Sequence, residues 1–372
     1  MVIRVLELFS GIGGMHCSLN ATGISFKIEA AVDINTTANQ VYMHNFPDTT
    51  LLQRNILSLS SKEIDNLKPD LITMSPPCQP FTRQGLKQDC EDVRTQPLLH
   101  ILQVISDLEY KPYYIFLENV KGFETSRAKE KLVSTLQSCG YKFKEFLLTP
   151  TQFGIPNSRL RYYLLAKFRF GTSCVNMTQE LTTSLRCEIK KEDMLFFKNS
   201  GLDSEIDSSN TAEGVVCRGG NTTDDEKTPL SFYLENKPDL YFQDYLLPDK
   251  VLLKFPMILD IVDRRSLQSC CFTKGYGHYV QGTGSVIHAV SHDKFIEVYK
   301  TVSLLNKEHP QTVELLKQLK LRYFTPREVA NLLHFPSMFS FPSHLKKKQL
   351  YQILGNSINV YVVCELLKLL LQ

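Results

Sequence analysis

Short apolar runs, rich in β-branched residues, alternate through the first half of the chain with stretches whose apolar residues recur at helical spacing. "VIRVLELF" (2–9) reads as a strand ending in the glycine turn "SGIGG", and "MHCSLNAT" behind the turn can be helical. "KIEAAVDIN" (27–35) reads as a second strand ending in an acid, "DLITMS" (70–75) as a third and "YYIFLENV" (113–120) as a fourth. "TQPLLHILQVISDL" (95–108) carries the helical period, and "AKEKLVSTLQSCG" (128–140) reads as a helix stopped by Gly140. "KFKEFLLTP" and "LRYYLLAKF" are further strands. Strands alternating with helices specify an α/β fold, a mostly parallel sheet covered on both faces.

The texture changes near residue 171. The stretch 202–229 is polar, rich in Gly, Ser and Asp, and weakly periodic, and it reads as a mobile surface loop or a disordered insertion. In "YFTPREVANLLHFP" (323–336), Thr325 caps a helix that has Pro326 at its first position. The last 25 residues turn apolar again. No internal repeat is visible.

Composition sets the class. Hydrophobic residues make up 43% and charged residues 22% of the 372, so a full core can form in one large domain or two ordinary ones. The N-terminus lacks a signal-peptide pattern, and the tail "VYVVCELLKLLLQ" is broken by Glu365 and Lys368 and is too short to span a bilayer. The expectation is a soluble intracellular protein. Its ten cysteines form no Cys-x-x-Cys pair and no zinc-spaced cluster, so most are expected to be buried and reduced, with no metal site. Net charge is only +3, but it is unevenly spread: seven Lys/Arg against Glu328 alone between Lys317 and Lys348, and four cations with no acid between Thr151 and Phe170. Either run alone reads as a solvated face.

The glycine turn suggests a nucleoside. Gly11 and Gly13 give G-x-G after a strand, and Asp33 lies 20 residues past Gly13, where an acid can accept both ribose hydroxyls. His16 stands where a third glycine would be, so the turn supports an adenosine-type cofactor at a helix N-terminus and not NAD in particular.

A second set of residues carries reactive groups. In "SPPCQPF", prolines at 76, 77 and 80 fix three φ angles around Cys78 and remove three backbone donors. A thiol needed only for packing has no use for that stiffness, whereas a nucleophile does. Glu118 ends an apolar strand; partly buried, it could stay protonated and hydrogen-bond a ring nitrogen. Arg159 and Arg161 would share one face of a strand. The plain alternatives are a loop cysteine, a strand-end acid and a surface ion pair. Against them, Gly11–Gly14, Asp33, Cys78 and Glu118 all follow predicted strands, and ligands of open α/β sheets bind beyond the carboxyl ends of strands.

"ELFSGIGGMH", "AAVDIN", "SPPCQPFTRQG", "FLENV", "QFGIPNSRLRYYLLAK" and "QILGNSIN" stand in the order of the motif blocks of cytosine carbon-5 methyltransferases, which the chain resembles over roughly 1–170 and 323–372. It looks most like the branch, long classed with DNA methyltransferases, that acts on the anticodon loop of aspartate tRNA; "CFT" at 271–273 is typical of that branch. The resemblance implies that Cys78 attacks carbon 6 of cytosine, Glu118 engages the ring nitrogen and amine, and Arg159 and Arg161 hold the base. Phe9, Gly11, Ile12, Gly13, Gly14, Asp33, Asn55, Ile56, Ser75, Asn356 and Ser357 would bind S-adenosylmethionine, released as S-adenosylhomocysteine. Arg83, Gln84, Cys271, Phe272 and Thr273 would face the substrate.

The expected architecture is a Rossmann-like S-adenosylmethionine-dependent methyltransferase sheet with a smaller inserted target-recognition domain. The catalytic domain would take 1–184 and 341–372, and the recognition domain 185–340. The expected activity is methylation of cytosine carbon 5 in tRNA, by a monomer with no membrane contact, in the cytoplasm with the nucleus left open. DNA is the alternative substrate. A catalytically silent nucleic-acid-binding protein is the rival of another class, and the intact Cys78, Glu118 and Arg159/Arg161 set argues against it. A nicotinamide-dependent dehydrogenase fails on the missing glycine and leaves Pro-Pro-Cys unexplained.

Overall fold

The computed structural model describes residues 2–77, 91–168, 181–183, 227–305 and 310–372. An eight-stranded sheet runs β3 (Leu51–Gln53), β2 (Phe26–Asp33), β1 (Ile3–Leu8), β4 (Leu71–Met74), β5 (Tyr114–Val120), β7 (Arg161–Phe168), β6 (Tyr141–Leu148), β8 (Leu181–Thr182). Its first five strands pair in parallel. All four residues of β4 are buried, as a central strand covered on both faces requires. β7 departs from the parallel pattern, lying antiparallel between β5 and β6. Its beginning, not its end, therefore reaches the carboxyl edge of β5, with Arg161 paired opposite Val120. This reversal puts the two arginines at the ligand-binding edge.

Two helical layers cover the sheet. On one face, α2 (Gln96–Asp107) and α3 (Arg127–Ser138) bury Leu98, Ile101, Ile105, Leu132 and Leu136 against the strands. α3 stops where expected, with Gly140 at φ +86° just beyond it. On the other face lies α1 (Gly14–Thr22). Its cover arrives from the far end of the sequence. The C-terminal stretch forms helices over Lys347–Gly355 and Val360–Leu371, and the second packs along α1, with Ser18 Oγ donating to the Val360 carbonyl (3.0 Å). That second helix is apolar nearly all round because it is a core helix. The Lys347–Leu371 region has the length and apolarity of a membrane span, but 67% of its most apolar window is buried inside the protein.

A second, three-stranded sheet joins Ile261–Val262, Val286–Ile287 and Arg322–Tyr323, with its own small core around Val298, Val302, Leu316 and Leu319. The chain returns through the helix Pro326–Leu332, capped by Thr325 as its sequence predicts. Glu328 closes that capping box and also accepts two bonds from Arg322 (2.7 and 2.8 Å) in a buried pair. Of the five described cysteines, Cys17 and Cys364 are buried, Cys139 and Cys271 are half-buried and Cys270 is exposed. The predicted loop at 202–229 lies, apart from its last three residues, outside the described residues.

Candidate active site

One cleft of about 410 Å³ opens at the carboxyl edge of the main sheet. Its first half is made largely of backbone. β1 ends at Leu8, and the chain turns sharply through Phe9 (φ +56°), Gly11 (φ +54°) and Gly13 (φ +88°) into α1. A side chain at Gly11 would meet nothing within 4 Å, so the turn presents bare backbone to the cleft. At Gly14 a Cβ would come within 2.6 Å of Ile358 Cγ1, so only glycine lets the C-terminal segment pack there.

Asp33, at the end of β2, ties this half together. Its Oδ2 accepts from the Gly11 N–H (2.9 Å) and its Oδ1 from the Asn35 N–H (2.7 Å). Burial raises its carboxyl above the usual range, opposed by these backbone bonds. Ser75 Oγ donates to the Phe9 carbonyl (3.0 Å), joining β4 to the turn. Asn55 caps the short turn at Ile56–Ser58 by accepting from the Leu57 N–H (3.1 Å). Beside Asp33, the cleft wall is apolar: Ile34, left 63% exposed, with Ile56 and Pro97. A carboxylate next to an exposed apolar slot and a bare glycine turn fits an adenosine, the ribose on Asp33 and the base on the isoleucines.

The second half is made of buried charges. Glu118, at the end of β5, lies 3.4 Å from Arg161 Nε. Burial raises the Glu118 carboxyl, and the Arg161 and Arg159 guanidiniums pull it the other way. Arg159, just ahead of β7, is 2% exposed. Its Nη1 donates to the Phe272 carbonyl (3.2 Å) and its Nη2 to the carbonyls of Gly355 (3.2 Å) and Ser357. A buried Arg Nε remains unpartnered there. Cys271 Sγ lies 3.5 Å from Arg159 Nη1 and 3.9 Å from Arg161 Nη2. Burial pushes its thiol up, but the two guanidiniums outweigh burial and leave it below the ordinary thiol range.

Phe9, Gly11, Ile12, Gly14, Asp33, Asn55, Ile56, Ser75, Glu118, Arg159, Arg161, Asn356 and Ser357 all line this one cleft. Four residues take other places. Gly13 packs under Phe46, whose ring a Cβ would meet at 2.5 Å. Cys271 stands behind the arginines. Phe272 does not face the cleft: its ring is buried against Tyr276 and Phe324, and only its carbonyl serves the site, through Arg159. Thr273 contributes a backbone surface, because a Cβ on Gly355 would collide with the Thr273–Lys274 peptide. Cys78, Arg83 and Gln84 lie outside the described residues.

The residues leading to Cys78 are described, and they reveal a group that motif reading missed. Pro76 and Pro77 line the cleft, and Asn119 Nδ2 donates to the Pro76 carbonyl (3.4 Å). Asn119 stands next to Glu118 in "FLENV", so its signal was present; the partner, 43 residues upstream, was not. Arg94, held by Asp92 through its Nε (2.8 Å), is a further cation on the cleft wall that no motif announced.

With this geometry established, comparison with known proteins places the chain. A family profile described as C-5 cytosine-specific DNA methylase matches residues 3–372. The chain is 43% identical, over 99% of its own length and 99% of the relative's, to a human tRNA (cytosine(38)-C(5))-methyltransferase. A Dictyostelium discoideum protein named DNA (cytosine-5)-methyltransferase is 37% identical over 99% of this chain and 94% of its own. The crystal structure of a Spodoptera frugiperda DNMT2 mutant matches with a TM-score of 0.81 at 39% identity, covering all of both chains. The chain belongs to the C-5 cytosine-specific methylase family, whose members use S-adenosylmethionine.

Proposed function

We propose that this protein methylates cytosine carbon 5 in the anticodon loop of tRNA, with aspartate tRNA the first candidate. The observation that carries the chemistry is the convergence of Glu118, Arg159 and Arg161 beside the Pro76–Pro77 entry to Cys78, in the same cleft as the glycine turn. The choice of RNA rests on the full-length likeness to tRNA (cytosine(38)-C(5))-methyltransferases from human and Spodoptera frugiperda, at 43% and 40% identity.

The glycine turn, Asp33, Ile34, Ile56 and Asn356 would hold S-adenosylmethionine, which when bound supplies an electrophilic methyl group. The remaining work falls to the chain's own side chains. The Cys78 thiolate adds to carbon 6 of the cytosine, making carbon 5 nucleophilic. Glu118, kept protonated more readily than an exposed carboxyl, gives a hydrogen bond to the ring nitrogen and offsets the charge that develops there. Arg161 orients Glu118, while Arg159 locks the cleft wall to the C-terminal segment and to Phe272. Once methylated, carbon 5 gives up its proton to solvent water and the Cys78–carbon 6 bond breaks, freeing the thiolate and the product. The base must leave its stack for this, and an anticodon loop makes that step easier because its bases are unpaired.

The alternative substrate is DNA, favoured by the Dictyostelium discoideum relative's name. The proposed form is a monomer, divided into catalytic segments 1–184 and 341–372 and a recognition region 185–340. A tRNA substrate suits the cytoplasm, with the nucleus as alternative. The deciding experiment transfers a radiolabelled methyl group from S-adenosylmethionine to total tRNA and, in parallel, to duplex DNA. Wild type should label tRNA, and Cys78→Ala should label neither while keeping its affinity for S-adenosylhomocysteine within a few-fold. Label in DNA alone overturns the substrate, and normal turnover by Cys78→Ala overturns the mechanism.

A further inference from the structure

The segment that follows Cys271 forms a tightly tied loop on the shoulder of the cleft. Its base is closed by the Thr273 N–H donating to the Thr283 carbonyl (2.9 Å). Its inner side is pinned by Tyr276, a buried ring whose hydroxyl donates to the Ser285 carbonyl (2.6 Å) and accepts from the Phe324 N–H (2.8 Å). Gly277 (φ +74°) lies on the Tyr351 ring, where a Cβ would sit 3.0 Å away. The Thr273–Lys274 peptide rests on Gly355, and Gly355 lines the cleft.

From this rigid frame Tyr279 projects with 65% of its surface exposed. Its backbone is as well held as the rest: its N–H donates to the Gly275 carbonyl (2.9 Å) and its carbonyl accepts from Thr283 Oγ1 (2.7 Å). The ring edge lies over Gly275, where a Cβ would come within 3.1 Å of it, and the His278 ring stands 4.6 Å away. The loop itself carries no carboxylate, since none occurs between Arg264 and His292 while Arg264, Arg265 and Lys274 do; Asp260 meets it only at its base, through Ser285. An aromatic ring left in water on a fixed, cation-flanked loop beside a nucleotide-modifying cleft has the make-up of a base-stacking platform. Tyr276, three residues earlier in the same loop, packs against Phe272 and Tyr351 and fills the core there, so Tyr279 is not required by it.

We propose that Tyr279 stacks an unpaired base flanking the target cytosine and so positions the RNA substrate. The proposal rests on the tRNA reading above. A ring face gives binding without sequence choice, whereas a fully paired duplex keeps its bases stacked on one another and offers the ring nothing. Tyr279 thereby discriminates loops from duplexes.

The chain has no tryptophan, so Tyr279→Trp installs a sole emitter at the site in question. Wild type, Tyr279→Trp and Tyr279→Ala are compared for methyl transfer to total tRNA, with affinity for S-adenosylhomocysteine as the control for an intact fold. Tyr279→Ala is expected to raise KM for tRNA about 5- to 100-fold, with kcat far less changed. Tyr279→Trp is expected to keep KM within about 3-fold, and its emission should be quenched by tRNA but not by a fully paired RNA duplex. An unchanged KM in Tyr279→Ala, or a tryptophan emission indifferent to saturating tRNA, overturns the platform while wild-type transfer to tRNA leaves the substrate reading standing. Wild-type transfer to duplex DNA alone overturns both.

Discussion

The two halves of the cleft are built on opposite plans. The half that would take adenosine is built mostly from backbone and short-range contacts, namely a glycine turn, one carboxylate and caps at the ends of neighbouring parallel strands, with a distant segment joining it only at Gly14, Asn356 and Ser357. The base half uses buried charged side chains whose partners come from far away. Arg159 reaches Cys271 across 112 residues and Ser357 across 198. A backbone site is inexpensive to keep and tolerant of its surroundings. A site of buried charges is correct only when every partner is in place, since an unpaired buried charge or carbonyl costs several kcal/mol. The two halves should therefore fail differently under mutation.

The largest effect on methyl transfer is expected from Arg159→Met. It leaves the carbonyls of Phe272, Gly355 and Ser357 without their donor. Transfer should be lost, and the urea midpoint should fall by the equivalent of about 3–5 kcal/mol. A variant as stable as wild type would show that the base half is no more demanding than the other. Gly355→Ala comes next, because its Cβ collides with the Thr273–Lys274 peptide. It should cost about 1–3 kcal/mol of stability and lower kcat/KM for tRNA at least 10-fold, with S-adenosylhomocysteine affinity much less affected. Steady-state kinetics paired with calorimetry would reveal the opposite split if the comparison is wrong.

Gly11→Ala probes the other half. Its Cβ finds open space, but φ +54° costs about 1–2 kcal/mol with a side chain. The methyl group would enter the cleft, so affinity for S-adenosylhomocysteine should fall several-fold while tRNA binding persists. Glu7→Gln should move transfer least. Glu7 lies behind the glycine turn, fully buried, accepting from Tyr42 Oη (2.8 Å). Burial raises its carboxyl to about 8, against the Tyr42 bond that pulls it down. The folded protein thus holds a proton that the unfolded chain releases above about pH 4.3. That contribution to stability is complete below the unfolded value and is lost as pH rises to about 8, by up to about 1.4 kcal/mol per unit. Glu7→Gln should flatten this slope, so its stability relative to wild type should rise from pH 5 to pH 8 in urea titrations. A parallel pair of curves would remove Glu7 as their source.

The same contrast explains what could be read from the chain. The glycine turn, Asp33, the Thr325 cap and the helix stop at Gly140 are local, with cause and consequence a few residues apart or one strand over. The eight-strand order and the reversed β7 were not local, and periodicity expected Arg159 and Arg161 on one strand face, whereas Arg159 precedes the strand. "FLENV" was recognised for its acid, yet Asn119 is what holds the Pro76 carbonyl. Phe272 sat in a motif assigned to substrate, but its ring is a core residue. Chemistry-bearing residue types stand out in a sequence, whereas the partners that fix them appear only once distant segments meet.

The bond between Ser18 and Val360 spans 342 positions, and Gly14 sits against Ile358 in the wall of the cleft. The wall that would hold the methyl donor is thus assembled from two segments that lie more than three hundred positions apart in the chain. A polypeptide still on the ribosome with residues beyond Lys346 unexposed would carry the turn and the acid, yet lack Asn356, Ser357 and Ile358 to complete the pocket. A molecule cut short before Asn356 would therefore lack part of the pocket wall, and it is expected to hold the methyl donor poorly and not to become a stray methylating agent.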